Sequence, residues 1–119
     1  MPALRRSNVI QTLATEPPGS FVDLLGFNDN TVGACHISGA SPVWEMHPDT
    51  DEIFYILDGG FEITLLTASD AEHHQLEAGT MFVVPKGIWH KPAAPNGAKF
   101  IFHTPGTSLH SEAEDPRVA

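Results

Sequence analysis

Apolar positions along this chain come in short runs, most of them alternating with polar ones. "GSFVDLLGF" (19–27), "DNTVGACHISGAS" (29–41) and "PVWEMH" (42–47) each read as a strand bounded by Gly or Pro. "DEIFYILDGGFEITLL" (51–66) predicts two strands joined at Asp58-Gly59-Gly60, because Asp-Gly tolerates the positive φ of a tight hairpin turn. "TASDAEHH" (67–74) is polar and turn-like. Residues 73–92 predict a short strand, a turn at Gly79, the run "MFVVP" and a turn at Lys86-Gly87, and "GAKFIFHTPG" (97–106) supplies the last strand. The total is roughly eight to ten short strands with turns about every 8–12 residues, the pattern of an all-β sandwich or small barrel. Residues 4–14 are a weak helical candidate, with a short strand or turn around "NVIQTL" as the alternative.

Composition narrows this picture. The 119 residues fit one domain with one modest core. The expected organisation is an N-terminal arm at 1–18, a barrel over 19–106 and an acidic, solvated, mobile tail at 107–119. A net charge of -9 repels phosphate backbones, so nucleic acid is not expected as a partner. No run approaches the ~18 apolar residues of a membrane helix. Asn8, Gln11, Thr12 and Thr15 interrupt the stretch after Arg5-Arg6, so no leader is expected there. The lone Cys35 can form no internal disulfide and reads as a packed strand residue. A reducing cytoplasm suits it.

The candidate chemistry starts at "WEMH". Strand residues two apart share a face, so Glu45 and His47 project together, away from Trp44 and Met46. A four-residue turn, "PDTD", can return Glu52 beside His47, and His90 follows a Pro-Gly turn. Two imidazoles and two carboxylates form a donor set for a divalent first-row metal, Fe, Mn, Ni or Zn. Other candidates have plainer readings. His73 and His74 are expected at the surface, and His36 and His103 as hydrogen-bonded strand residues. Asp49 and Asp51 are expected to serve the turn. Trp44, Trp89, Phe82 and Phe102 read as core, and Tyr55 alternates away from Glu52.

The spacing across both stretches is more specific. Gly39, five residues, Glu45-Met46-His47, four residues, Glu52, six residues and Gly59 resemble the first motif of the cupin superfamily, G-x5-H-x-H-x(3,4)-E-x6-G. Gly79, five residues, Pro85-Lys86-Gly87, two residues and His90 resemble its second, G-x5-P-x-G-x2-H-x3-N. The resemblance implies a double-stranded β-helix, or jelly-roll, barrel with one metal inside. Carried over by position, His47, Glu52 and His90 are ligands. Small single-domain cupins are often homodimers, and the apolar residues Val9, Ile10 and Leu13 could cover a partner's sheet. Two positions depart from the motifs: Glu45 replaces the first histidine, and Ala94 the final Asn.

Three roles stay open for Glu45. As a fourth ligand it would lower the net charge of a divalent centre from +1, for three histidines and one carboxylate, to 0. As a non-ligand beside a two-His, one-carboxylate set it would be a catalytic general base. As a relic it would mark a barrel that has lost its metal. The corresponding functions are a metal-dependent enzyme on a small organic substrate, by oxygenase or by isomerase, decarboxylase or lyase chemistry, and a non-enzymatic small-ligand binding or sensing protein.

Overall fold

The computed structural model describes residues 3–118, so Met1 and Pro2 of the expected arm and Ala119 of the expected tail lie outside the described residues. A short helix, α1 (Val9–Ala14), precedes eight strands: β1 (Ser20–Phe27), β2 (Asn30–Ala40), β3 (Trp44–Met46), β4 (Glu52–Leu66), β5 (Ala71–Glu77), β6 (Met81–Val84), β7 (Trp89–His103) and β8 (Leu109–Ser111). All pairings are antiparallel. The sheet curls into a jelly-roll barrel with the core inside. β4 and β7 run side by side through both of its layers. On one side of their bend they pair with β6 and β2, and on the other with β5 and β3.

The predicted hairpin at Asp58-Gly59-Gly60 is a correction: β4 runs through it as one 15-residue strand. The register breaks between Ile56 and Asp58 and again between Gly59 and Glu62, so the Gly pair is a bulge rather than a turn. Glu52, Phe54 and Ile56 are buried before it, whereas Phe61 and Ile63 are buried after it. The inward phase shifts by one residue, as an inserted residue requires. Gly59 sits at φ 85°, and a Cβ there would strike the carbonyl oxygen of Gly97 and lie 2.9 Å from Ala98 Cα. Bulge and hairpin need the same Gly-rich residues, so only the identity of the strand partners separates them.

The core joins Cys35, Phe54, Ile56, Phe61, Ile63, Val84 and Phe100. Each large side chain of this kind contributes roughly 1.5–3 kcal/mol on burial. The Cys35 thiol is fully buried, and burial pushes it up to about 12, as expected of a packed residue.

Three further expectations meet the structure here. Residues 9–14 are helical, with Asn8 Oδ1 accepting from the Gln11 N–H at 3.0 Å as an N-cap. Leu13 is buried against the chain's own β2, so it does not face a partner. β5 begins at Ala71, within the stretch read as a turn. The segment expected as a mobile acidic tail is instead partly structured. Leu109–Ser111 pairs with β3, and Arg117 Nη1 donates to the carbonyls of Thr67 and Asp70 at 2.7 and 2.8 Å. Three alternating residues are too few to read as a strand without their partner.

Candidate metal centre

The two halves of the site are tied by backbone geometry. Gly87 N–H donates to the His47 carbonyl at 2.8 Å, and Lys86 N–H donates to Asp51 Oδ1 at 2.9 Å. Gly87 needs its freedom here, at φ 79°. These bonds clamp the turn before His90 onto the loop between His47 and Glu52. Asp51 therefore serves the loop by bridging to a second turn. His90 also stands directly opposite Glu45 across β7 and β3.

The four predicted side chains converge. His47 Nε2 lies 3.1 Å from Glu45 Oε1 and 3.1 Å from Glu52 Oε1. His90 Nε2 lies 3.1 Å from Glu52 Oε1 and 3.4 Å from Glu45 Oε1. One donor atom from each residue falls within 4.8 Å of all the others, so the group can hold one metal ion. Donors about 2.1 Å from a shared ion would stand about 3.0 Å apart at right angles and about 3.4 Å apart at tetrahedral angles. The observed separations span that range. His47, Glu52 and His90 are only 2–3% exposed, while Glu45, at 32%, borders the open side.

Hydrogen bonds tell which atoms are free for a cation. His90 Nδ1–H donates to the Ile88 carbonyl at 3.2 Å, which leaves Nε2 aimed at the two carboxylates. That nitrogen is buried without a hydrogen-bond partner, although Glu52 Oε1 lies 3.1 Å away. A neutral imidazole would turn its lone pair onto anionic oxygens there. A proton or a metal ion relieves the contact, and a divalent ion relieves it for all four groups. His47 Nδ1 is hydrogen-bonded to Ser108 Oγ at 3.0 Å, and His110 Nε2–H donates to Glu45 Oε2 at 3.0 Å.

The same proximity sets the proton affinities. Burial would raise the Glu45 carboxyl, but the close approach and charge of His90, the charge of His47 and the His110 bond together hold it down to about 2. Burial would lower His90, but the Glu45 and Glu52 carboxylates raise it to about 9.

The remaining histidines fall outside the cluster. His36 donates to the Glu16 carbonyl and His103 to the Thr31 carbonyl, while His73 and His74 are exposed on β5. Tyr55 faces away from the interior row of Glu52, Phe54 and Ile56. Phe82 stacks on Phe54 in the core, centroids 4.7 Å apart. Phe102 packs against the core, as read, and its ring also lines a cavity of about 600 Å³ that ends at the four donors. Ser108 and His110 were missed in the sequence. The only signal for them was that two residues, two apart, share a face within "TSLHSE".

The family model described as "Cupin domain" matches residues 36–104. This chain belongs to the cupin family. The cupin is 29% identical to a cupin-2 domain containing protein from Shewanella frigidimarina NCIMB 400, with a TM-score of 0.66 over 80% of this chain and 89% of that one. Hydroquinone 1,2-dioxygenase from Sphingomonas sp. TTNP3, solved with 4-hydroxybenzoate bound, shares the fold at 21% identity and a TM-score of 0.71. That match covers 85% of this chain and 74% of the dioxygenase. The uncharacterized protein YdbB of Bacillus subtilis (strain 168) is 34% identical over 64 residues, which are 54% of this chain and 53% of YdbB. The cupin thus matches about half the length of that curated relative. No helix among the described residues is long and apolar enough to cross a membrane.

Proposed function

We propose that this cupin is a metal-dependent enzyme in which Glu45, His47, Glu52 and His90 hold one divalent transition metal at the end of a substrate cavity. The observation that carries this reading is His90 Nε2, buried and unpartnered between two carboxylate oxygens. A bound metal would supply a Lewis-acid or redox centre facing the cavity. Two carboxylates and two imidazoles cancel the charge of a divalent ion, which weakens its Lewis acidity and stabilises a higher oxidation state. That balance favours oxygen-dependent oxidation of a small organic molecule over isomerase, decarboxylase or lyase chemistry. Glu45 is the donor on the open side, so it both completes the set and stands closest to an incoming substrate. The cavity opens directly onto the donors, which supports an enzyme over a closed ligand-binding barrel.

The test is elemental analysis of protein purified without chelators, followed by a substrate screen with and without oxygen. The expected result is about one transition-metal ion per chain and oxygen-dependent turnover. Protein that neither retains nor takes up a stoichiometric metal ion would sink the proposal.

We also propose a homodimer. Ile53 and Val83 are cross-strand partners exposed on the outer face beside Met81, an apolar area that a second copy would cover. Sedimentation at micromolar concentration should show a dimer, and Met81→Glu should weaken it. A monomeric wild type would refute this.

A further inference from the structure

The cavity wall and the charges around it point to one class of substrate. Four phenylalanines form a continuous wall from mouth to donors. Phe21 stands at the mouth, 70% exposed, with its ring edge-on to Phe102 at 6.0 Å. Phe102 lies 6.0 Å from Phe100, Phe100 lies 5.6 Å from Phe54, and Phe54 lies 6.3 Å from His90. Gly33 makes room for this wall, because a Cβ there would meet the Phe102 ring at 2.7 Å. An exposed Phe at the rim of a cavity is unfavourable in water, and a flat apolar molecule lying along the wall would cover it.

The charge around the cavity is one-sided. Among the described residues lining it, there are two carboxylates, Glu45 and Glu52, and no Lys or Arg. A divalent ion would bring the donor group to neutrality and no further, within a chain of net charge -9. An anionic ligand would therefore enter a low-dielectric space with no Lys or Arg side chain to meet it. The polar groups near the donors, Thr104 and Ser108, are neutral hydrogen-bonding groups.

We propose that the cavity selects an uncharged, flat, aromatic molecule bearing a hydroxyl or carbonyl oxygen at the end that meets the donors, and discriminates against carboxylates of the same shape. The apolar body lies along Phe21, Phe102 and Phe100, and the oxygen reaches the group formed by Glu45, His47, Glu52 and His90. This inference rests on the metal-dependent reading for the neutrality of the donor group. Its direction does not depend on that reading, because two carboxylates and no Lys or Arg line the cavity whether or not a metal is bound.

The test compares two probes of nearly equal shape, 4-hydroxybenzamide and 4-hydroxybenzoate, by calorimetric titration of the full chain at neutral pH, with metal content measured on the same sample. The amide should bind at least about tenfold more tightly than the carboxylate. Ser38→Arg, an exposed change at the cavity rim, should narrow or reverse that preference. Phe21→Ser should weaken amide binding several-fold without moving the thermal unfolding midpoint. Equal or tighter binding of 4-hydroxybenzoate by the wild type would overturn the inference, as would failure of the amide to bind at millimolar concentration. A protein that neither retains nor takes up metal and still prefers the amide would overturn the metal-dependent reading and leave the cavity's selectivity standing.

Discussion

His110 faces Glu45 across paired strands β8 and β3, with Nε2 3.0 Å from Glu45 Oε2. The same carboxylate turns Oε1 toward His47 at 3.1 Å. Glu45 is thus held from outside the donor group so that one oxygen faces inward. Ser108, two residues before His110, meets Nδ1 of His47 in the same way. In a metal-bound state that bond would put the proton on Nδ1 and leave Nε2 free. Removing either partner, in Ser108→Ala or His110→Ala, should lower metal affinity by roughly 10–100-fold while the chain stays folded. Competition with a chelator of known affinity reads this directly, and unchanged affinity in both variants would show that β8 does not support the site.

His90→Ala removes a donor itself. The loss of metal affinity should exceed the ~10–100-fold expected for the supporting residues. Metal per chain after dialysis against a weak chelator is the measurement. Full retention would remove His90 from the ligand set.

Glu45→Gln keeps size and the possibility of accepting a bond from His110, but removes the charge. If Glu45 is a ligand, metal affinity falls. If it acts only as a base, metal is retained and turnover is lost. Glu45→His should keep metal and shift its redox behaviour, since the centre would then carry one more positive charge. Three proteins with equal metal content, activity and melting temperature would leave Glu45 with neither role.

The metal-free protein should show a stability optimum in mildly acidic solution. His90 titrates at about 9 in the folded chain against an ordinary value of 6.5, so its contribution is complete below about pH 6.5 and fades as pH rises toward 9. Glu45 titrates at about 2 against an ordinary 4.5, so its contribution is complete above about pH 4.5 and is lost as pH falls toward 2. Both are in place between those limits. Urea midpoints measured with chelator from pH 3 to 9 should peak there, and a midpoint still rising between pH 7 and 9 would contradict the His90 assignment. Metal binding must displace the His90 proton, so metal affinity should climb across pH 6.5 to 9.

Gly59→Ala tests the strand crossing. Holding a non-glycine residue at φ 85° costs roughly 1–3 kcal/mol, and the new Cβ would also collide with Gly97. A destabilisation at or above that range is expected in urea unfolding. A change under about 0.5 kcal/mol, the scale of an ordinary surface substitution, would mean that Gly59 does not pack against Gly97.

The donor residues were legible because they sit at fixed spacings within short stretches. Glu45 and His47 share a strand face, Glu52 follows one loop later, and His90 follows a Pro-Gly turn, which suggests a donor set. The spacing of the two cupin-like motifs is what separates them from ordinary polar residues at strand ends. The all-β class was legible for the same reason. The hairpin failed because Asp58-Gly59-Gly60 satisfies a turn and a bulge equally well. That Phe102 also lines an open cavity was not legible, because inward-facing aromatic residues look alike whether they meet core atoms or open space.

Local pattern therefore determined which residues face inward and which can bind a cation, since strand period and ligand chemistry are properties of neighbouring residues. Tertiary structure alone decided what those residues meet. It brought Glu45 opposite His90, and Ser108 and His110 onto His47 and Glu45 from more than 60 positions away. It also turned Gly59 into a crossing by placing it against Gly97. Such pairings depend on strand register between distant segments, and no periodicity within one segment encodes its partner.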